Sequence, residues 1–170
     1  MTRGLYFPRE TVESNVVLMW VANRLDEPSS MFHDPYAYCL VDEGGEILVG
    51  VVLHDYSGHN LMMSLAIADG VILSPVMAGQ MLQVPFESPL DASRVTAFVD
   101  ETNVRSVNLI EALGFSEEGR IRNHFGDHDA IVYGLLKDEF AEGHYGRRIR
   151  WRQNGKRPVQ QGETPTSKLN

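Results

Sequence analysis

Residues 103–122, Asn103-Val-Arg-Ser106-Val-Asn108-Leu-Ile110-Glu-Ala-Leu113-Gly114-Phe115-Ser-Glu-Glu118-Gly119-Arg-Ile-Arg122, carry the reading on which the fold depends. Asn103 is a good N-cap, because its side-chain oxygen can accept an amide hydrogen that the first helical turn leaves unpaired. Val104, Val107, Ile110 and Leu113 recur at three-residue spacing, the stripe that a helix buries against a sheet. Gly114 can adopt the left-handed conformation that ends a helix, and Phe115 stands where such a stop places its hydrophobic contact. Arg94 to Val99, just before, alternates as a strand does. The predicted unit is therefore a strand, a turn, a capped helix and a glycine stop.

Working outward, two further strands are predicted near Gly119 to Asn123 and Ala130 to Leu136. The segment His124-Phe-Gly126-Asp127-His128-Asp129 between them has the composition of a metal cluster. It reads as a hairpin turn, because Gly and Asp tolerate turn dihedrals and metal sites usually draw ligands from several elements. Toward the N-terminus, Thr11 to Leu25 is predicted as a helix with Val12, Val16, Met19, Trp20 and Asn23 on one face. Tyr36 to Val41 and Ile47 to Asp55 form a predicted hairpin across the turn residues 42–46, and Leu61 to Ala68 adds a third strand. Ser74-Pro75 opens a helix that Pro85 threatens before Glu87. The predicted class is α+β, a single domain over residues 1–143 with a mixed, mostly antiparallel central sheet flanked by helices. Residues 144–170 read as a basic, low-complexity tail.

A chain of 170 residues with 43% hydrophobic content has room for one well-cored domain. Cys39 is the only cysteine, which rules out an internal disulfide and a cysteine cage for metal. The apolar runs Val16 to Ala22 and Ile47 to Leu53 are too short to cross a bilayer, no basic leader precedes them, and a cytoplasmic protein without membrane contact is expected. The net charge of −8 conceals an asymmetry. Residues 144–170 hold seven Lys and Arg against one Glu, a net +6, which leaves −14 on residues 1–143. Arg147-Arg148-Ile-Arg150-Trp151-Arg152 is compatible with a protein partner or the acidic body of another copy, with nucleic acid, or with a solvated tail. Contact with protein or with its own subunits is the preferred reading. No nucleophile elbow, phosphate-binding Walker sequence or Cys–His pair is present.

The spacing Asn-x-x-Ser-x-x-Leu-Ile-Glu-x-Leu-Gly-Phe, followed by Glu-Gly-x-x-Arg, resembles the last third of the GCN5-related N-acetyltransferases. The nearest likeness is to their ribosomal-protein-modifying branch and to small phage-encoded relatives. Asp129-Ala-Ile-Val-Tyr133-Gly-Leu-Leu-Lys-Asp-Glu139 resembles that branch's final strand, so the likeness runs from Arg94 to Glu139.

The resemblance implies acetyl-CoA as cofactor, its pyrophosphate held by backbone amides at the start of the central helix. The amides of Val76, Met77 and Ala78 match that position. The family's usual Arg or Gln and paired glycines are absent from Gly70-Val-Ile-Leu-Ser74-Pro75-Val-Met-Ala78-Gly79-Gln80, so the loop is degraded, and an ordinary helix start capped by Ser74 is the competing reading. Ser106 matches the position of a proton donor to the leaving thiolate, or is simply a polar first-turn residue. Ile110, where many relatives carry Tyr, has no proton to give. Asn103 is a cap or, by resemblance, a contact to pantetheine. His54, Asp55, His59 and Asp69 are candidate general bases, and a backbone amide in Leu65 to Ala68 is the implied oxyanion donor. Two functions follow. One is acetyl transfer to an unidentified amine by direct attack. The other is a structural or interaction role on a fold that has lost its chemistry, such as a phage particle component docked through the basic tail in host cytoplasm or virion.

Overall fold

The computed structural model describes residues 4–7, 11–87 and 89–153. Its strands are β1 (Gly4–Tyr6), β2 (Tyr36–Val41), β3 (Ile47–His54), β4 (Asn60–Ile67), β5 (Arg94–Asp100), β6 (Ser116–Phe125) and β7 (His128–Leu136). They follow the order β1-β2-β3-β4-β5-β7-β6 in one seven-stranded sheet. The helices are α1 (Thr11–Leu25), α2 (Pro75–Gln83), α3 (Val104–Ala112), α4 (Lys137–Glu142) and α5 (His144–Gln153). Among the described residues, no helix is long and apolar enough to cross a membrane. The mixed α/β domain contains two compact units: Met1–Asp55 with Ser64–Ile72, and Tyr56–Met63 with Leu73–Gly155.

In the first unit, β2 pairs antiparallel with β1 and with β3, and Cys39 stands opposite Gly50. Strand β1 is an addition to the sequence reading. Helix α1 spans the predicted residues but buries another face: Val17, Val21 and Ala22 are inside, while Val16 and Met19 are 57% and 46% exposed. Gly50 decides the rotation. A side-chain carbon there would lie 2.5 Å from Val21 Cγ2 and 3.0 Å from a Trp20 ring carbon, so the bare backbone of β3 is what seats this face. Around that contact Val17, Val21, Phe32, Ala37, Cys39, Val52 and Ala66 close a core. Burial pushes the Cys39 thiol up to about 12.

In the second unit, β4 and β5 run parallel with Asn60 opposite Arg94 and Met62 opposite Thr96. Strand β7 pairs antiparallel with β5 and with β6, and Gly126-Asp127 turns the β6–β7 hairpin at the predicted place. Gly134 on β7 carries no side chain because the bidentate Arg94–Glu118 pair lies over it. Helix α3 has its predicted ends. The Asn103 oxygen accepts from the Ser106 amide at 3.1 Å; at the far end Phe115 N donates to Ile110 O at 3.3 Å and Gly114 N to Glu111 O at 2.9 Å. Those two bonds define a Schellman stop. Val104 departs from the predicted stripe: it lies in the first turn and is 64% exposed, whereas Ile110, Leu113 and Phe115 are buried.

Gly114 holds φ at +94°, and a side chain there would meet nothing within 4 Å. The expected loss for Gly114→Ala is thus a backbone effect of roughly 1–2 kcal/mol. Urea unfolding should show a lower midpoint with an unchanged slope.

Helix α2 is shorter than predicted: Val84-Pro85-Phe86 tightens into a 3₁₀ turn after Gln83, since Pro85 has no amide to continue the ladder. The larger correction concerns the C-terminal region. Residues 137–142 and 144–153 are the helices α4 and α5, so the stretch read as a low-complexity tail opens in a helix. Phe140 stacks on Phe86 at 5.3 Å, and Ile149 is 8% exposed. The first ten residues of the predicted tail are therefore helical, and its remainder, including Lys156 and Arg157, lies outside the described residues.

Candidate functional site

The loop from β5 into α3 is built by short polar side chains. Asp100 Oδ1 accepts from the Thr102 amide at 2.8 Å and from the Thr102 hydroxyl at 2.7 Å, bonds that hold its carboxyl below the usual range. The Asn103 amide donates to the Asp100 carbonyl at 3.0 Å. Asn103 in turn takes the Ser106 amide, so these two predicted site residues are brought together by the cap itself. Ser106 is half-buried, and among the described residues its hydroxyl has no hydrogen-bond partner. Ile110 is buried, in keeping with a packing role. The nearby phenol of Tyr133 is fully buried and donates to Glu111 at 3.0 Å; burial and that carboxylate push it up to about 12.

At the start of α2, Ser74 is extended and its hydroxyl oxygen accepts from the Met77 amide at 3.3 Å. Pro75 has no amide, and the Ala78 amide donates to the Ser74 carbonyl at 2.9 Å. Of the three amides expected to face a phosphate, Ala78's is thus taken up by the helix and Met77's is held by a long bond to a neutral hydroxyl. Val76's has no partner among the described residues. The positive end of the helix dipole concentrates on these groups.

Helix α5 links the two candidate helices, a role the sequence reading missed. Tyr145 donates its hydroxyl to the Ala112 carbonyl at the end of α3, at 2.9 Å. On α2, a side-chain carbon at Gly79 would lie 2.9 Å from Ile149 Cδ1 and 3.4 Å from Tyr145 Cβ, so α5 sits directly on the glycine. The available signal was the apolar pair Tyr145 and Ile149 at four-residue spacing amid arginines.

The candidate bases fall apart as a group. Asp69 is exposed, 3.9 Å from Arg24, and the His59 carbonyl anchors Ser93 and Arg94 through their amides. Of the strand stretch expected to supply an oxyanion donor, the Ala68 amide is committed to the Leu48 carbonyl at 2.8 Å. His54 and Asp55 do come together, in the first unit, with His54 Nδ1 2.5 Å from Asp55 Oδ2. They bring in Ser64, which the sequence reading did not single out: its Oγ lies 3.1 Å from His54 Nε2. Among the described residues no cluster of three His, Cys, Asp or Glu could hold a metal ion.

No protein-family model matches the sequence, and no curated protein matches it. Solved structures do. A chimeric spermidine N-acetyltransferase from Vibrio cholerae and hSSAT is 18% identical with a TM-score of 0.64, covering 84% of this chain and all of its own. The Vibrio cholerae spermidine N-acetyltransferase in complex with CoA and spermine is 18% identical with a TM-score of 0.64, over 82% and 98% of the two chains. A dodecameric form of that enzyme in an intermediate state is 17% identical, also with a TM-score of 0.64, over 82% and 96%. The likeness establishes the fold of the GCN5-related N-acetyltransferases. The neighbours are polyamine enzymes, and neither the ribosomal-protein branch nor a phage origin draws support from them.

Proposed function

We propose that this protein binds acetyl-CoA and transfers its acetyl group to an amine by direct attack. The observation that carries the reading is the pair of polar-capped helices in the second unit: α2 with the unpartnered Val76 amide and the loosely held Met77 amide, and α3 with the unengaged Ser106 hydroxyl. The cofactor supplies a thioester carbon activated toward amines. The amides of Val76 and Met77 hold its pyrophosphate, and Ala78 contributes a small buried side chain beneath them. Asn103 fixes the turn that presents Ser106, and its amide group faces the pantetheine arm. Ser106 gives its proton to the departing sulfur and recovers one from the nitrogen that has become an amide. The net −14 of residues 1–143 suits a cationic acceptor, and one structural neighbour binds spermine. Self-assembly through residues 144–170 accords with the same charge division and with a neighbour that is dodecameric.

Isothermal titration with acetyl-CoA tests the reading, and no heat at millimolar cofactor would overturn it. Given binding, Ser106→Ala should lower kcat about 10²-fold, the lower range of general acid–base contributions, with cofactor affinity within about twofold of the parent. Equal loss of both would make Ser106 a structural residue.

A further inference from the structure

We propose that Ser64 is a nucleophile that accepts acyl groups from small activated esters, with His54 as its base and Asp55 as the residue that positions that base. All three belong to the first unit, and the proposal does not depend on acetyl-CoA. Strand β3 ends at His54, and the next residue, Asp55, takes φ +51°, a left-handed conformation that Asp tolerates better than most side chains. This turn is anchored by the Asp55 amide, which donates to the His33 carbonyl at 3.0 Å. It leaves the Asp55 carboxylate against the imidazole of its own neighbour.

The protonation pattern follows from the chemistry of the partners. A carboxylate only accepts, so the nitrogen 2.5 Å from Asp55 Oδ2 carries hydrogen: His54 Nδ1 is the donor. In the neutral ring Nε2 then has the lone pair, and Ser64 Oγ, 3.1 Å away, donates its proton to it. The other Asp55 oxygen takes His33 Nδ1 at 3.1 Å, so the carboxylate is held from two sides. Phe32 meets the His54 ring edge-on, with centroids 4.9 Å apart, which fixes the plane of the imidazole. His54 is 9% exposed while Ser64 is half-buried: the base is shielded and the hydroxyl lies nearer solvent. Nucleophile, base and orienting acid thus stand in hydrogen-bond sequence, the relation that activates serine on unrelated folds.

In the reaction Ser64 Oγ bonds to the ester carbonyl carbon and its proton passes to His54 Nε2. The bond from that carbon to the alcohol oxygen breaks, and the alcohol leaves with the proton from Nε2. Water, deprotonated by His54, then releases the carboxylic acid and restores Ser64.

The full-length protein, free of CoA, should be treated with a fluorophosphonate probe and digested for peptide mass spectrometry, with p-nitrophenyl acetate turnover followed in parallel. A single adduct on Ser64 is expected, formed as oxygen bonds to phosphorus and fluoride departs. His54→Gln should slow labelling about 10²-fold or more, and Asp55→Asn should slow it as well, with unchanged circular dichroism in both variants. No adduct on Ser64 in the parent protein would overturn the proposal. So would labelling at the parental rate in His54→Gln, because a hydrogen-bonded tie between β3 and β4 has no need of a base.

Discussion

Gly146→Ala should destabilise the protein by about 2–3 kcal/mol, the upper part of the range for overpacking, because the atoms met have no free rotation. A helical glycine exchanged for alanine ordinarily gains stability of up to about 1 kcal/mol, so the sign of the change is itself the test. Gly146 is buried in the first turn of α5, where the chain doubles back on α4. A side-chain carbon there would overlap the Phe140 carbonyl oxygen and stand 2.9 Å from both Cα and O of Ala141, all of them backbone atoms. The helix must then tilt away, which lifts Ile149 from Gly79 and strains the Tyr145–Ala112 hydrogen bond. A fall in Tm of roughly 5–10 °C is expected for a chain of this size. Arg148→Ala, on an exposed position of the same helix, should stay within about 0.5 kcal/mol of the parent. A Gly146→Ala melt equal to or above the parent's would mean that α5 does not pack as described. Removal of everything after Phe140 is accordingly expected to disturb α2 and α3, and not to leave an intact domain.

Ser74→Asp should weaken cofactor binding about 10²-fold or more while leaving stability intact. Aspartate is as good an N-cap as serine, and a negative charge at that end of α2 is favourable, so the melt should hold or rise slightly. The new carboxylate, however, would occupy the place proposed for a pyrophosphate oxygen, since Ser74 Oγ already binds the Met77 amide. Two like charges 4 Å apart at an effective dielectric of 20 repel by about 4 kcal/mol, and partial screening still leaves a loss of about 10²-fold or more in affinity. Titration calorimetry paired with a thermal melt separates this from unfolding. Unchanged affinity for acetyl-CoA in Ser74→Asp would remove the start of α2 from the cofactor site.

Helix α3 was readable because its punctuation is local. Asn103, Gly114 and Phe115 each act within one helical turn, so their meaning does not depend on distant residues. The β2–β3 and β6–β7 hairpins were readable for the same reason. The buried face of α1 was not, because it is chosen by a missing side chain at Gly50, a residue far along the sequence whose role is to admit Val21. Helix α5 escaped because its composition is polar; two apolar residues suffice once Gly79 offers a seat, and that seat is a tertiary fact. Among the candidate site residues, Asn103 and Ser106 were singled out by the family resemblance that their spacing carries, and a cap hydrogen bond joins them. Ser64 went unnoticed because its partner lies ten residues away on the neighbouring strand, and nothing in strand alternation distinguishes a serine that faces a histidine from one that faces solvent.

The buried state of Cys39 bears on how the proposed acetyl transfer is best tested. Free CoA is commonly followed by reagents that react with its sulfhydryl, and a reactive cysteine on the protein would add a signal of its own. Here the chain's only cysteine is 2% exposed and its thiol is held in the protonated form, so colour developed in the native state would come from product alone. By the same token a cysteine introduced elsewhere on the surface would be the sole attachment point for a dye.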